Sequence, residues 1–83
     1  MEFMVTITFR PQDQEKILPL VPQERAHIQT LREQGTVQAL YLGSDGSHVW
    51  IVMRGESQEQ VQKELEAFPL YPYMEATIAP LRG

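Results

Sequence analysis

The chain contains no cysteine and only two histidines. Disulfides therefore cannot reinforce it, and it lacks the thiolate and imidazole ligands of a structural zinc site. Cations are few as well, with seven Lys and Arg against eleven Asp and Glu for a formal charge of −4. They are scattered along the chain, whereas phosphate recognition needs them clustered, so nucleic acid is not an expected partner. No apolar run approaches the ~20 residues that cross a bilayer. Met1-Glu2-Phe3 enters a strand pattern at once, without the basic and apolar regions of a signal peptide, and the expected location is the cytoplasm. There is no G-x-G-x-x-G, no P-loop, and no carboxylate series of a calcium loop around Asp45. Neither a metal nor a cofactor is expected.

What remains is the composition of a small globular domain: 83 residues, 42% apolar and 22% charged, without low-complexity runs. That length predicts a single domain over residues 1–83, near the lower limit for folding without a staple or a partner subunit. Residues 2–10 alternate strictly, with Phe3, Val5, Ile7 and Phe9 pointing one way and Met4, Thr6 and Thr8 the other, which predicts a strand. Pro11 ends it. Pro19 and Pro22 limit residues 12–20 to short helical pieces, and a helix over residues 22–34 should stop at Gly35. Val21, Ile28 and Leu31 form its apolar stripe, with Arg25 on the same side. Strands are predicted over 36–42 and 47–54, joined by the turn Gly43-Ser44-Asp45-Gly46. Ser57 and Gln60 are spaced as a capping box opening a second helix to about Ala67, which buries Val61, Leu65 and Phe68. Residues 71–81 predict a fourth strand, restricted by Pro72 and Pro80.

The order β-α-β-β-α-β predicts an α+β, ferredoxin-like sandwich: a four-stranded antiparallel sheet with both helices on one face. Two helices cover one face of such a sheet, and the other should be polar if it meets water. Each predicted strand nevertheless offers apolar residues to both sides, with Val37/Ala39/Tyr41 alternating against Leu40/Leu42 and Val49/Ile51/Met53 against Trp50/Val52. Large apolar patches are rare on monomers. Covering about 600 Å² more per subunit would contribute roughly 15 kcal/mol of gross transfer energy before association costs. The expected partner is a second copy, sheet against sheet.

Chemistry is less marked. Glu24 and His27 lie three residues apart on the first predicted helix and so are neighbours on its surface. A carboxylate beside an imidazole suits proton transfer where burial moves a pKa toward neutrality; a solvated helical pair is the alternative. Tyr41 and Trp50 are candidates to line a substrate cleft between packed subunits, with Tyr73 beside them, or else are core aromatics. His48 opens the third strand and reads as surface. Arg10 and Arg54, at strand ends, are candidates to hold a carboxylate or are solvated charges.

The most distinctive stretch is Phe68-Pro69-Leu70-Tyr71-Pro72-Tyr73-Met74, followed by Glu75 and Ile78-Ala79-Pro80-Leu81. It resembles the closing segment of the muconolactone isomerase family, and the resemblance extends back through Leu31-Arg32-Glu33-Gln34-Gly35 and the aromatic hairpin. The resemblance implies a dimeric α+β barrel of ferredoxin-like subunits that assembles further. It also implies cofactor-independent isomerisation of a small lactone, with a base, an acid and a clamp for the substrate carboxylate. A helix glutamate of the family falls on Glu24 when Gly35 is aligned, with His27 as its possible proton partner. The second strand departs: Val37-Gln38-Ala39-Leu40-Tyr41 stands where the family has a Trp-Arg-His-Leu-Trp pattern. The expected function is isomerisation of a lactone or related carboxylic acid. A non-catalytic barrel binding a small apolar metabolite, or an accessory subunit docking another protein, is the alternative.

Overall fold

In a computed structural model, which describes residues 1–82, strand β1 (Glu2–Phe9) leads through a 3-10 turn to the one-turn helix α1 (Gln14–Ile17). A second 3-10 turn precedes helix α2 (Val21–Glu33), strands β2 (Val37–Leu42) and β3 (His48–Arg54), helix α3 (Gln58–Glu66) and strand β4 (Met74–Leu81). All adjacent strands are antiparallel and the sheet order is β2-β3-β1-β4. This is the expected ferredoxin-like arrangement, with each of the longer helices linking strands that are not neighbours.

Register decides which residues share a face. Phe3, Val5 and Ile7 stand opposite Met53, Ile51 and Val49 on one side and Pro80, Ile78 and Ala76 on the other. Apart from Pro80, these residues pack with Leu31 of α2, with Val61 and Leu65 of α3 and with Phe68 just beyond it into one core. On β2 the predicted alternation fails. A bulge between Val37 and Ala39 adds one residue, so Val37 shares the core face with Leu40 and Leu42 rather than with Ala39 and Tyr41. Inserting a residue shifts every later side chain to the other face. The Gln38 amide turns back to donate to the Gly35 carbonyl, which ties the bulge to the end of α2.

Local signals explain the helix boundaries. Gly35, at φ +82°, closes α2: its N–H donates to the Arg32 carbonyl (3.1 Å), and the Thr36 N–H donates to the Leu31 carbonyl (2.9 Å). This paired arrangement is a Schellman cap. At the start of α3 the Gln60 N–H donates to Ser57 Oγ (3.1 Å) and the Glu56 N–H to Gln60 Oε1 (2.7 Å). The predicted fourth strand begins late, because Tyr71–Tyr73 form a 3-10 turn and pairing starts only at Met74. Pro80 is accommodated within β4 because that strand lies at the sheet edge, where a missing donor is tolerated.

The outer face is apolar on only part of its width. Met4, Ala39, Tyr41, Trp50 and Val52 share it, but β4 contributes Glu75, Thr77 and Ala79. The outward excess is thus densest on β2 and β3, whereas β4 mixes Ala79 and Leu81 with Glu75 and Thr77. Among the described residues no helix is long and apolar enough to cross a membrane.

Leu65 is fully buried between α3 and the sheet. Leu65→Ala should cost about 2–5 kcal/mol in urea unfolding, from lost transfer energy plus the cavity left behind. A total stability of about 5–15 kcal/mol makes that a large fraction.

Candidate functional site

Helix α2 lays the row Val21, Glu24, Ile28 and Leu31 toward the sheet, at the i, i+3, i+7 spacing of one helical face. The row does not close evenly. Leu31, near the capped end, is buried, while Ile28 and Val21 are only half-buried. The resulting gap is a cleft of about 460 Å³ between the first part of α2 and the β2–β3–β1 side of the sheet. Its volume falls within the ~300–1,000 Å³ usual for small-molecule sites. The sheet supplies an apolar floor of Ile7, Phe9, Leu40, Val49 and Ile51; Ile17 and Leu18 close one side, and Leu42 and Gly46 stand at the hairpin.

Glu24 is the one charged or polar residue buried among those described, at 8% exposure. Its Oε1 accepts a hydrogen bond from the backbone N–H of Leu70 (3.2 Å), which follows Pro69 in the connection from α3 to β4. Oε2 makes no hydrogen bond to the described residues, and it is not sealed from solvent. One carboxylate oxygen is thus anchored and the other is uncommitted beside an apolar cleft. Burial raises the pKa of Glu24 above the usual carboxylate value, and the Leu70 N–H opposes that rise by favouring the charged form.

The other sequence candidates scatter. His27 makes no hydrogen bond to Glu24: its ring packs edge-to-face on Phe68 at 5.0 Å, its Nε2 is buried without a partner among the described residues, and it does not line the cleft. Tyr41 and Trp50 are cross-strand partners on the outer face of the sheet, opposite the cleft, with His48 stacked on Trp50 at 5.5 Å. Tyr73 sits in the 3-10 turn before β4, outside the cleft lining. Arg10 is held by Asp13 at 2.8 Å. Arg54 pairs with Glu2 at the end of the sheet remote from the hairpin, roughly 16 Å along β3 from Val49. Only Glu24 joins the cleft.

Two features escaped the sequence reading. Arg25 reads from the sequence as lying on the apolar side of α2, but not as lining a cleft together with Arg32; their i, i+7 spacing along α2 was the available signal. The Leu70 N–H had no signal, being a backbone group 46 residues from its acceptor.

A family model of muconolactone delta-isomerase matches residues 1–83. The chain belongs to the muconolactone delta-isomerase family. The resemblance read from the closing segment is therefore correct. The crystal structure of a muconolactone isomerase superposes with a TM-score of 0.80 at 26% identity, covering 100% of this chain and 91% of the other. The 5-chloro-2-hydroxyhydroquinone dehydrochlorinase of Burkholderia phenoliruptrix AC1100, in complex with 2,5-dihydroxybenzoquinone, shares the fold at a TM-score of 0.79 and 17% identity, covering 99% and 94%. A protein of Mycobacterium tuberculosis is more distant, at a TM-score of 0.52 and 19% identity, covering 100% and 98%. Comparison with curated protein sequences gives no match. Membership in the muconolactone delta-isomerase family supports a related enzyme that converts small molecules.

The raised pKa of Glu24 has a consequence for stability. Between the unfolded value near 4.5 and the raised folded value, the native state binds more protons than the unfolded chain. Stability therefore falls as pH rises through that window, and the loss is complete above the folded pKa. The difference in urea-unfolding free energy between the parent chain and Glu24→Gln, followed from pH 4 upward, should move in favour of the variant. A flat difference would place the carboxyl in water.

Proposed function

We propose that this chain is a cofactor-independent isomerase of a small lactone or related carboxylic acid, with Glu24 as the proton-transferring base. The observation that carries this reading is the buried Glu24 carboxylate, with Oε1 anchored and Oε2 free beside the cleft. The ionised carboxylate removes a proton from a ring carbon acidified by a conjugated carbonyl, leaving a dienolate. The carboxylic acid so formed returns the proton to a different carbon as the double bond moves, so the step is redox-neutral and regenerates the base. Desolvation suits both halves, because it narrows the gap between the carboxyl pKa and that of a carbon acid. The apolar floor holds the ring and limits water, which would otherwise compete for the proton.

A second copy of the chain, packed sheet to sheet, completes the reading. Met4, Ala39, Tyr41, Trp50 and Val52 put apolar side chains, with Thr6 among them, on the face that the helices leave bare. In such an assembly Tyr41 and Trp50 lie between subunits and support the floor of the cleft from beneath, across the sheet.

Incubating muconolactone with the protein in D2O should give isomerisation or deuterium incorporation at the acidic carbon, followed by NMR. Glu24→Gln should slow this by roughly 10²-fold or more while leaving the thermal melt in place. Equal rates for parent and variant would remove Glu24 from the mechanism.

Light scattering after size exclusion at micromolar concentration should give at least a dimer, and Trp50→Glu should lower the mass toward a monomer by placing charge in the sheet–sheet contact. A parent chain that runs as a stable monomer would overturn the assembly.

A further inference from the structure

Three ionisable side chains line the cleft: Glu24 on the inner row of α2, and Arg25 and Arg32 beside it. The cleft is therefore net positive, even with Glu24 ionised, in a chain whose formal charge is −4. Neither arginine forms a salt bridge with a described acid. The one salt bridge among the described residues joins Arg10 to Asp13, and neither Arg25 nor Arg32 donates a side-chain hydrogen bond to any described residue. Glu33, the acid next to Arg32 on the helix, accepts instead from Gln29 Nε2 at 3.3 Å. The two residues stand two helical turns apart, about 10 Å along the axis. Both are exposed at the edge of the cleft, whose sheet floor is apolar.

We propose that Arg25 and Arg32 are the specificity-determining residues of the cleft, selecting small unsaturated acids by their carboxylate while the ring lies on the apolar floor against Glu24. The assignment rests on reading the cleft as the site of the isomerisation. A guanidinium fork matches a carboxylate with two parallel N–H donors, and a local positive field in a net negative protein draws anions toward one place on its surface. The same arrangement orients the substrate. An anion held at the mouth cannot turn its carboxylate inward, where the Glu24 carboxylate would repel it, so the ring carbons are presented to Oε2. Arg10 and Arg54, the cations read from strand ends, cannot share this role, one being tied to Asp13 and the other at the far end of β3.

Titration calorimetry with muconolactone and with its methyl ester, a neutral analogue of the same ring, separates charge recognition from ring binding. The parent chain should bind the acid about tenfold more tightly than the ester, the factor expected of one charge-assisted hydrogen-bonded pair. The Arg25→Gln/Arg32→Gln double variant should lose that preference and keep its affinity for the ester. Raising the salt should erode acid binding in the parent alone. Equal affinities for acid and ester in the parent, a preference that survives in the double variant, or no acid binding at millimolar concentration would each overturn the proposal. The readout is binding, so it separates from catalysis. An arginine-dependent preference without D2O exchange leaves this inference standing and removes the isomerase reading, whereas exchange without such a preference does the reverse.

Discussion

Helix α2 meets the sheet fully at only one end, and the site follows from that constraint. At Leu31, beside the Schellman cap and the β2 bulge, the helix is pinned against the core. Two turns earlier it carries Glu24 where a compact core would place a large apolar side chain, and flanking Val21 and Ile28 are left half-buried. The shortfall is the cleft. A carboxylate in that row cannot pack as leucine would, and its burial is tolerated because the Leu70 N–H supplies one hydrogen bond.

That hydrogen bond joins distant parts of the chain. The connection from α3 to β4, rich in proline and aromatic residues, is built by local rules: the Tyr71 N–H donates to the Phe68 carbonyl at 2.9 Å and the Tyr73 N–H to the Leu70 carbonyl at 2.9 Å. A turn held this way fixes the direction of the Leu70 N–H toward Glu24. The segment that marks the family thus acts on the site through its backbone. Its aromatic side chains go elsewhere, with Phe68 against His27 and Tyr71 receiving a hydrogen bond from Gln62.

The outer face follows a separate logic. The β2 bulge sends Ala39 and Tyr41 outward and keeps Leu40 and Leu42 over the cleft, so one inserted residue both furnishes part of the cleft wall and completes the apolar outer patch. Cleft and patch are therefore two sides of the same strands.

The element order, both helix caps, the apolar stripes and the family were legible in the sequence because each rests on local rules: period, capping chemistry and proline geometry act within a few residues. Glu24 was legible too, through its alignment against Gly35. Beyond that, local spacing misled. Glu24 and His27 are neighbours along the helix, yet packing against Phe68 turns the imidazole from the cleft, because which flank of a helix meets which neighbour is set by elements far away in the chain. The β2 alternation failed at Gln38 because a bulge leaves the hydrophobic pattern almost unchanged while reversing the faces. The sequence places Arg25 on the apolar side of the helix and gives Arg32 no role, because the gap beside them does not show in it. A cleft exists only where two surfaces fail to close, and the sequence of either surface alone does not contain that distance.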